Sequence, residues 1–567
     1  MTGPSPTRAR LAALLAWLAL LAPAWLYLVN APRFGFLPEN DYYGIALPVL
    51  APEADANLAQ RLIRARSNEH RVALPAAVFA LNYHLFHGHD LPLSLLALAL
   101  LAGVFTLLYR ALPTAVRRSP RRFAYAAVLA FFAFTPAAAD NVAMGFSGIL
   151  FGSANLLAVL AIFVLARRGR SGGIAGLWPI PVLGLLGIFT FSTSIALWPA
   201  VVAAGIHLRL RRRQWLVLAL AAAAALSFYA SGYGMPRSHP SLDVDPVDAV
   251  RFALVFLGAP AGPRTDVALA AGALGLAAAL LLAGLILRRA AADRFALWTG
   301  LQAYAAANAA AAALARGGFG EEMAVASRYA TLPALFWAAL LIAAGLYLEQ
   351  QRPRRHRLAA AGLGLVALLL AAPSLARGRS LIDAFAARGS VHPVAARALV
   401  RGYRDADVLR AVSLKPEAIW QARDALRRLH HVPFDRRHPP PVARRLAPAE
   451  LAPEPHPQLV GLVGGLYPLP GAVYRLGGWV FGRGIEVEEV LIVGRDGWTH
   501  GEVVRGIYDP ALVRLHGRAA RGASWAAYAD AGRLLGSTIC ARPAGDPRCY
   551  PLPVSELVRP RLELPGP

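Results

Sequence analysis

The sequence predicts a mainly α-helical, polytopic transmembrane bundle of about eleven spans, followed by a C-terminal extracytoplasmic domain of β-sandwich type. Three observations predict it. Apolar runs of about twenty residues recur along the chain, each long enough to cross a hydrocarbon core of about 30 Å. Only 16% of the 567 residues are charged and 57% are hydrophobic, whereas soluble domains carry about 25% charge. Arginine, finally, is concentrated in every second connector between the runs.

The first run, residues 11–29, follows Arg8 and Arg10. It is long for a signal peptide and no A-x-A site follows it, so it reads as an anchor. Residues 30–90 form a large first outer loop containing FLPENDYYG, an amphipathic piece near 57–66 and SNEHR at 67–71. Residues 72–86 are apolar but short, which suits an interfacial or re-entrant helix better than a span. Further spans are expected at about 91–109, 123–139, 149–166, 177–190, 192–208, 215–231, 266–287, 295–315, 330–348 and 358–376. Connectors at 117–122, 167–170, 209–213, 288–294 and 352–357 carry the arginines, and the alternate ones carry few charges. The positive-inside rule places the arginine set and the N-terminus in the cytoplasm, and eleven spans then leave the C-terminus outside. The expected location is the bacterial inner membrane.

Composition changes after Ala376. Residues 377–450 read as a charged, helical juxtamembrane linker ending in the proline-rich HPPPV at 438–442. Residues 451–567 read as a β-rich domain, from short apolar alternations broken by Gly, Asp and Pro, such as AVYRLGGWVF and VEEVLIVGRDGW. The transmembrane domain is accordingly residues 1–376.

A formal charge of +25 invites a nucleic-acid partner. The distribution of arginine in connectors argues against one, and Lys415 is the only lysine. No P-loop, kinase set, zincin motif or dinucleotide fingerprint occurs. His84, His87, His89 and Asp90 fall close together, but their irregular spacing does not make a ligand set. No metal ligands are assigned and no cofactor is identified, although a divalent metal ion stays open. Cys540 and Cys549 either close a short hairpin as a disulfide, if the domain is outside the cytoplasm, or remain free thiols.

Chemistry is expected in the outer loops. Glu39 and Asp41 flank Asn40 at the head of the first loop, where a carboxylate would serve as general base toward a hydroxyl or simply sit in a solvated turn. Glu69, His70 and Arg71 precede an apolar helix, where they would orient an acceptor, bind phosphate or cap the helix. Arg316 ends one span, and Arg328 with Tyr329 opens the next. Two guanidiniums there would clamp a phosphate or anchor the helices at the interface.

Glu39-Asn40-Asp41 after the first span, the segment from Glu69 through Pro75 into FALNYHLFHGHDLP, and RGGFG…SRY together resemble the GT-C superfamily of membrane glycosyltransferases. The resemblance implies an inverting hexosyl- or pentosyltransferase that moves a sugar from a polyprenyl-phosphate donor to an envelope glycan or lipid. It implies Asp41 or Glu39 as the base, and Arg316 and Arg328 on the phosphate leaving group. It also implies carbohydrate binding by the terminal module around GGWVF. The partners would be the lipid-linked sugar, the acceptor and membrane lipids, without nucleic acid. The competing expectation is a non-enzymatic binder or translocator of lipid-linked glycan.

Overall fold

A computed structural model describes residues 17–18, 20–51, 57–169, 171–231, 233–234, 245–289, 292–350, 353–436 and 443–563. Arg8, Arg10, the start of the first run and the HPPPV segment lie outside the described residues. The chain divides into two compact units, residues 1–32 with 44–383, and residues 33–43 with 384–567.

The first unit is helical. Its helices are α1 (Ala22–Asn30), α2 (Ala73–Phe86), α3 (Asp90–Ala111), α4 (Arg122–Ala133), α5 (Gly145–Arg168), α6 (Pro179–Ile188), α7 (Leu197–Leu208), α8 (Arg212–Ala230), α9 (Pro246–Gly258), α10 (Thr265–Leu287), α11 (Ala296–Arg316), α12 (Thr331–Leu348) and α13 (Pro353–Arg401). Among the described residues, 6 helices are long and apolar enough to cross a membrane: α3, α5, α8, α10, α12 and the part of α13 from Ala359. Helix α2, with 14 residues, reaches only about 21 Å, short of a hydrocarbon core.

Helix α11 has span length, yet buries Thr299, Gln302 and Asn308. A helix enclosed by other helices can hold polar groups that a lipid-facing one cannot. Tyr304 of α11 donates to Asn155 Oδ1 on α5 (3.0 Å), and Asn155 Nδ2 donates to Thr331 Oγ1 at the start of α12 (3.1 Å). This chain of hydrogen bonds fixes three helices in register.

Helix α9 lies between the expected spans at 215–231 and 266–287, where the sequence pattern alone gives no span. Asp245 caps it by accepting from Val247 N, and Pro246 occupies its first turn, both ordinary start signals. Its 13 residues are too few for a span signal. It crosses α10 at a glycine pair: a Cβ on Gly258 would lie 1.8 Å from Ala268 O, and one on Gly272 1.8 Å from Leu254 O. Only hydrogen fits at either position, as at other close helix crossings.

The arginine-bearing connectors touch one another. Arg167 Nη2 donates to Arg110 O (2.7 Å) and Gln214 Nε2 to Gly169 O (2.6 Å). Glu349 meets Arg121 (3.3 Å) and Tyr125 (3.1 Å), and Arg289 donates to Gln350 (2.9 Å). One end of the first unit is therefore strongly basic.

The change of composition at Ala376 does not interrupt α13, which continues to Arg401. Its residues up to Asp383 belong to the first unit and the rest to the second.

In the second unit, residues 33–43 lie against the C-terminal part of α13. Gly389 permits this, since a Cβ there would lie 2.4 Å from the Phe34 carbonyl carbon. A further helix, α14 (Pro416–Arg428), precedes the β-rich region. That region contains two four-stranded antiparallel sheets. One has the order β3 (Leu459–Leu469), β4 (Val473–Gly482), β8 (Ser524–Asp530), β7 (Glu502–Ile507). The other has the order β10 (Tyr550–Pro551), β9 (Thr538–Pro543), β5 (Val487–Val493), β6 (Thr499–His500). Val463, Leu476 and Val480 of the first sheet share a core with Val490, Ile492 and Ile539 of the second, so the region is a two-sheet sandwich. Cys540 and Cys549 are disulfide-bonded. Two buried ion clusters join the helices to the sandwich. Asp405 takes both oxygens to Arg475 (2.6 and 2.8 Å) and accepts from Tyr528 (2.9 Å), while Glu502 pairs with Arg397 (3.0 Å) and Arg401 (2.5 Å). Burial and the Asp405 charge together push the Tyr528 hydroxyl well above its ordinary pKa.

Candidate functional site

The sequence SNEHR folds as a two-stranded hairpin in which β1 (Arg66–Ser67) pairs with β2 (His70–Arg71). Asn68 turns it, at φ 52°, a left-handed conformation that asparagine tolerates better than most residues. The hairpin is held on both sides. Val72 N donates to Ala65 O (3.1 Å) and Leu74 N to Phe189 O (2.9 Å). The His70 ring meets Phe191 edge-on at 4.4 Å. Arg71 lies 4.7 Å over the Phe228 ring and donates to Ser231 O.

This docking buries Glu69 to 2% exposure. Its Oε1 receives Arg316 Nη2 at 2.7 Å and lies 3.3 Å from His70 Nε2. His70 Nδ1 is 3.5 Å from the Tyr229 hydroxyl. Arg316 is the last residue of α11, where a cation also opposes the negative end of the helix dipole.

These groups form the polar end of a cavity of about 410 Å³. Tyr233 also lines the cavity, Asn308 lines it about two turns before Arg316 on α11, and Trp198, Leu226 and Phe256 belong to its apolar wall. The space exists because α11 presents alanine along one face, at 307, 311, 312 and 315. Larger residues at those positions would fill it. Burial, together with the nearby Glu69 charge, raises the Tyr233 hydroxyl pKa, and Arg316 opposes the shift.

Four sequence candidates, Glu69, His70, Arg316 and Tyr329, thus line one cavity. Tyr329 sits in a 3₁₀ turn with its ring against Phe256 (5.7 Å) and Phe151 (5.8 Å). Arg328 does not line it: its guanidinium donates to Met323 Sδ (3.0 Å) and lies 5.3 Å from the Tyr329 centroid. Arg71 stands beside it over Phe228. Tyr229, Tyr233 and Asn308 were not singled out by sequence, because a tyrosine at a span end also reads as an interfacial anchor.

Glu39 and Asp41 belong to the second unit. Glu39, 1% exposed, is clamped by Arg388 Nη1 at 2.9 Å and His392 Nε2 at 3.5 Å. Leu37 N donates to His392 Nδ1 (3.2 Å), so the neutral ring carries its proton on Nε2, facing Glu39. Gly35, at φ 104°, lies so close that a Cβ would fall 2.2 Å from His392 Nδ1. Asn40 secures the turn through Val412 O (3.0 Å) and Leu414 N (3.1 Å). Asp41 is exposed.

Among the described residues no group of His, Cys, Asp and Glu is arranged to hold a metal ion. Around His84 the polar groups work locally. His87 ends α2 in the left-handed conformation, and Asp90 Oδ2 accepts from Gly145 N (3.0 Å).

No family model, curated protein or solved structure matches the chain.

What the cavity can do chemically follows from its two ends. A buried carboxylate held by a guanidinium can change partners: an arriving phosphate competes for Arg316 in bidentate fashion, and the released carboxylate becomes a base. The apolar wall suits a hydrocarbon chain next to that charge.

Proposed function

We propose that the protein is a membrane glycosyltransferase of GT-C type that transfers a sugar from a polyprenyl-phosphate donor to an envelope glycan or lipid. The Glu69–Arg316 pair at the end of an apolar cavity carries this reading. Arg316 takes the donor phosphate, and the apolar wall takes the first part of the polyprenyl chain. Glu69, released from Arg316, accepts the proton of the acceptor hydroxyl. The hydroxyl oxygen attacks the anomeric carbon, the bond to phosphate breaks with its electron pair, and configuration inverts. His70 and Tyr229 keep Glu69 aimed into the cavity.

The orientation is part of the proposal. About eleven spans, with the connected arginine end in the cytoplasm, put the cavity and the disulfide-bonded sandwich on the outer face of the inner membrane.

One observation favours a second reading. Glu69 is already neutralised by Arg316, as in a site that only binds or translocates a lipid-linked glycan. Sugar release from a radiolabelled polyprenyl-phosphate donor separates the two. Release that disappears in Glu69→Gln supports transfer with Glu69 as base, while donor binding without release supports the binder. Asp41→Asn tests the carboxylate implied by the family resemblance. Release lost there but kept in Glu69→Gln moves the base to the first outer loop's acidic turn.

A further inference from the structure

At the basic end of the first unit lies a second cavity of about 420 Å³, lined by Arg110, Arg117, Phe163, Val164, Arg167 and Arg168, its surface mostly carbon from the arginine stems and the two apolar side chains. Arg110 lies at the end of α3, Arg117 in the short helix Thr114–Arg118, and Arg167 and Arg168 at the end of α5. Among the described residues none of the four pairs with a carboxylate.

Two of them have local tasks. Arg117 donates to Leu112 O (3.1 Å), and Arg167 donates to Arg110 O (2.7 Å) while lying 5.2 Å from the Phe163 centroid. These bonds satisfy carbonyls at helix ends. Arg110 and Arg168 are exposed, and among the described residues neither guanidinium donates a hydrogen bond. Topogenic arginines need only be on the correct side of the membrane. They have no reason to converge on one cavity, where like charges repel. An anion in the cavity removes that repulsion.

We propose that this cavity binds the phosphate head group of an anionic phospholipid. Arg110 and Arg168 supply the free guanidinium edges, which match phosphate in bidentate fashion. Phe163 and Val164 supply an apolar wall for the first carbons of the acyl chains, which a soluble phosphate would not use. Basic pockets between spans are a known way to hold such head groups. The proposal is independent of the glycosyltransferase reading, since the cavity belongs to the opposite, arginine-bearing set of connectors.

The test is native mass spectrometry of the full-length protein, released from detergent containing either cardiolipin or phosphatidylcholine. The wild type is expected to retain cardiolipin at least tenfold more than phosphatidylcholine. Arg110→Gln with Arg168→Gln should lower cardiolipin retention about tenfold. The pair Arg110→Lys with Arg168→Lys keeps the topogenic charge but loses the bidentate fit, so it should lower cardiolipin retention only about threefold, showing that the larger loss in the glutamine pair is not a failure to insert. Unchanged cardiolipin retention in the glutamine pair overturns the proposal. So does equal loss in both pairs when both elute as the wild type does. Displacement of cardiolipin by an equal concentration of glycerol phosphate overturns the lipid as the source of the phosphate.

Discussion

The two units each contain a buried glutamate held by one arginine and one histidine, and they use it differently. In the first unit Glu69 pairs with Arg316 at 2.7 Å and His70 at 3.3 Å and lines a cavity. In the second, Glu39 pairs with Arg388 at 2.9 Å and His392 at 3.5 Å, and the His392 side chain is 0% exposed. The ionic chemistry is nearly the same. What differs is the neighbouring space. Alanines on α11 leave room beside Glu69, whereas Gly35 lets the backbone close directly on His392. One cluster can exchange partners with a ligand, and the other fastens residues 33–43 to α13.

Glu69→Gln should have the largest effect on this contrast. It should reduce sugar transfer about 10²- to 10⁴-fold, the usual loss for a general base, read on the folded fraction, because Arg316 loses its carboxylate and the thermal midpoint falls as well. A variant that transfers at the wild-type rate removes Glu69 from the mechanism. In the second unit, Arg388→Ala leaves buried Glu39 with only His392 beside it and should cost about 1–3 kcal/mol of stability, measured by denaturant unfolding of the full chain. Donor affinity, read on the folded fraction, should stay within about twofold.

Ala311→Phe removes the space beside Glu69 while keeping the ion pair. Donor affinity should fall about tenfold or more, while the thermal midpoint holds or rises because an apolar void is filled. A donor affinity equal to wild type would show that the lipid lies elsewhere.

The smallest effect concerns a partly exposed carboxylate of the second unit. Arg548 N–H, then the Tyr550 hydroxyl, hold Asp546 at a pKa of about 2, below its ordinary 3.8. Its contribution is therefore complete above about pH 4 and is lost as pH falls toward 2. The gap in thermal midpoint between the wild type and Asp546→Ala should close over that window and stay constant from pH 5 to 7.

Much of this architecture was legible in the sequence for simple reasons. Long apolar runs must be helices in lipid, and 265–287 or 331–348 could hardly be anything else. The sandwich followed from alternation, as in 487–493. Helix α9 was not legible as an element because 13 residues fall below span length. Glu39 and Glu69 were both visible as acidic residues of the first loop, but their different fates were not. Glu39 meets partners about 350 residues away, and the room beside Glu69 comes from alanines that look like ordinary helix filler. Local pattern carries neither kind of information. Arg316 could be flagged because a cation in one of the otherwise charge-poor connectors breaks the alternation of charge, whereas Tyr229 and Tyr233 break none.

Release of radiolabelled sugar from a polyprenyl-phosphate donor by the full-length protein in liposomes decides whether this cavity is a transferase site. The wild type and Arg388→Ala, assayed below its unfolding temperature, should release sugar at comparable rates, while Glu69→Gln and Arg316→Ala should release almost none. Equal release by the wild type and Glu69→Gln, or none by any of the four with the donor bound, would contradict the assignment of this cavity as a transferase site.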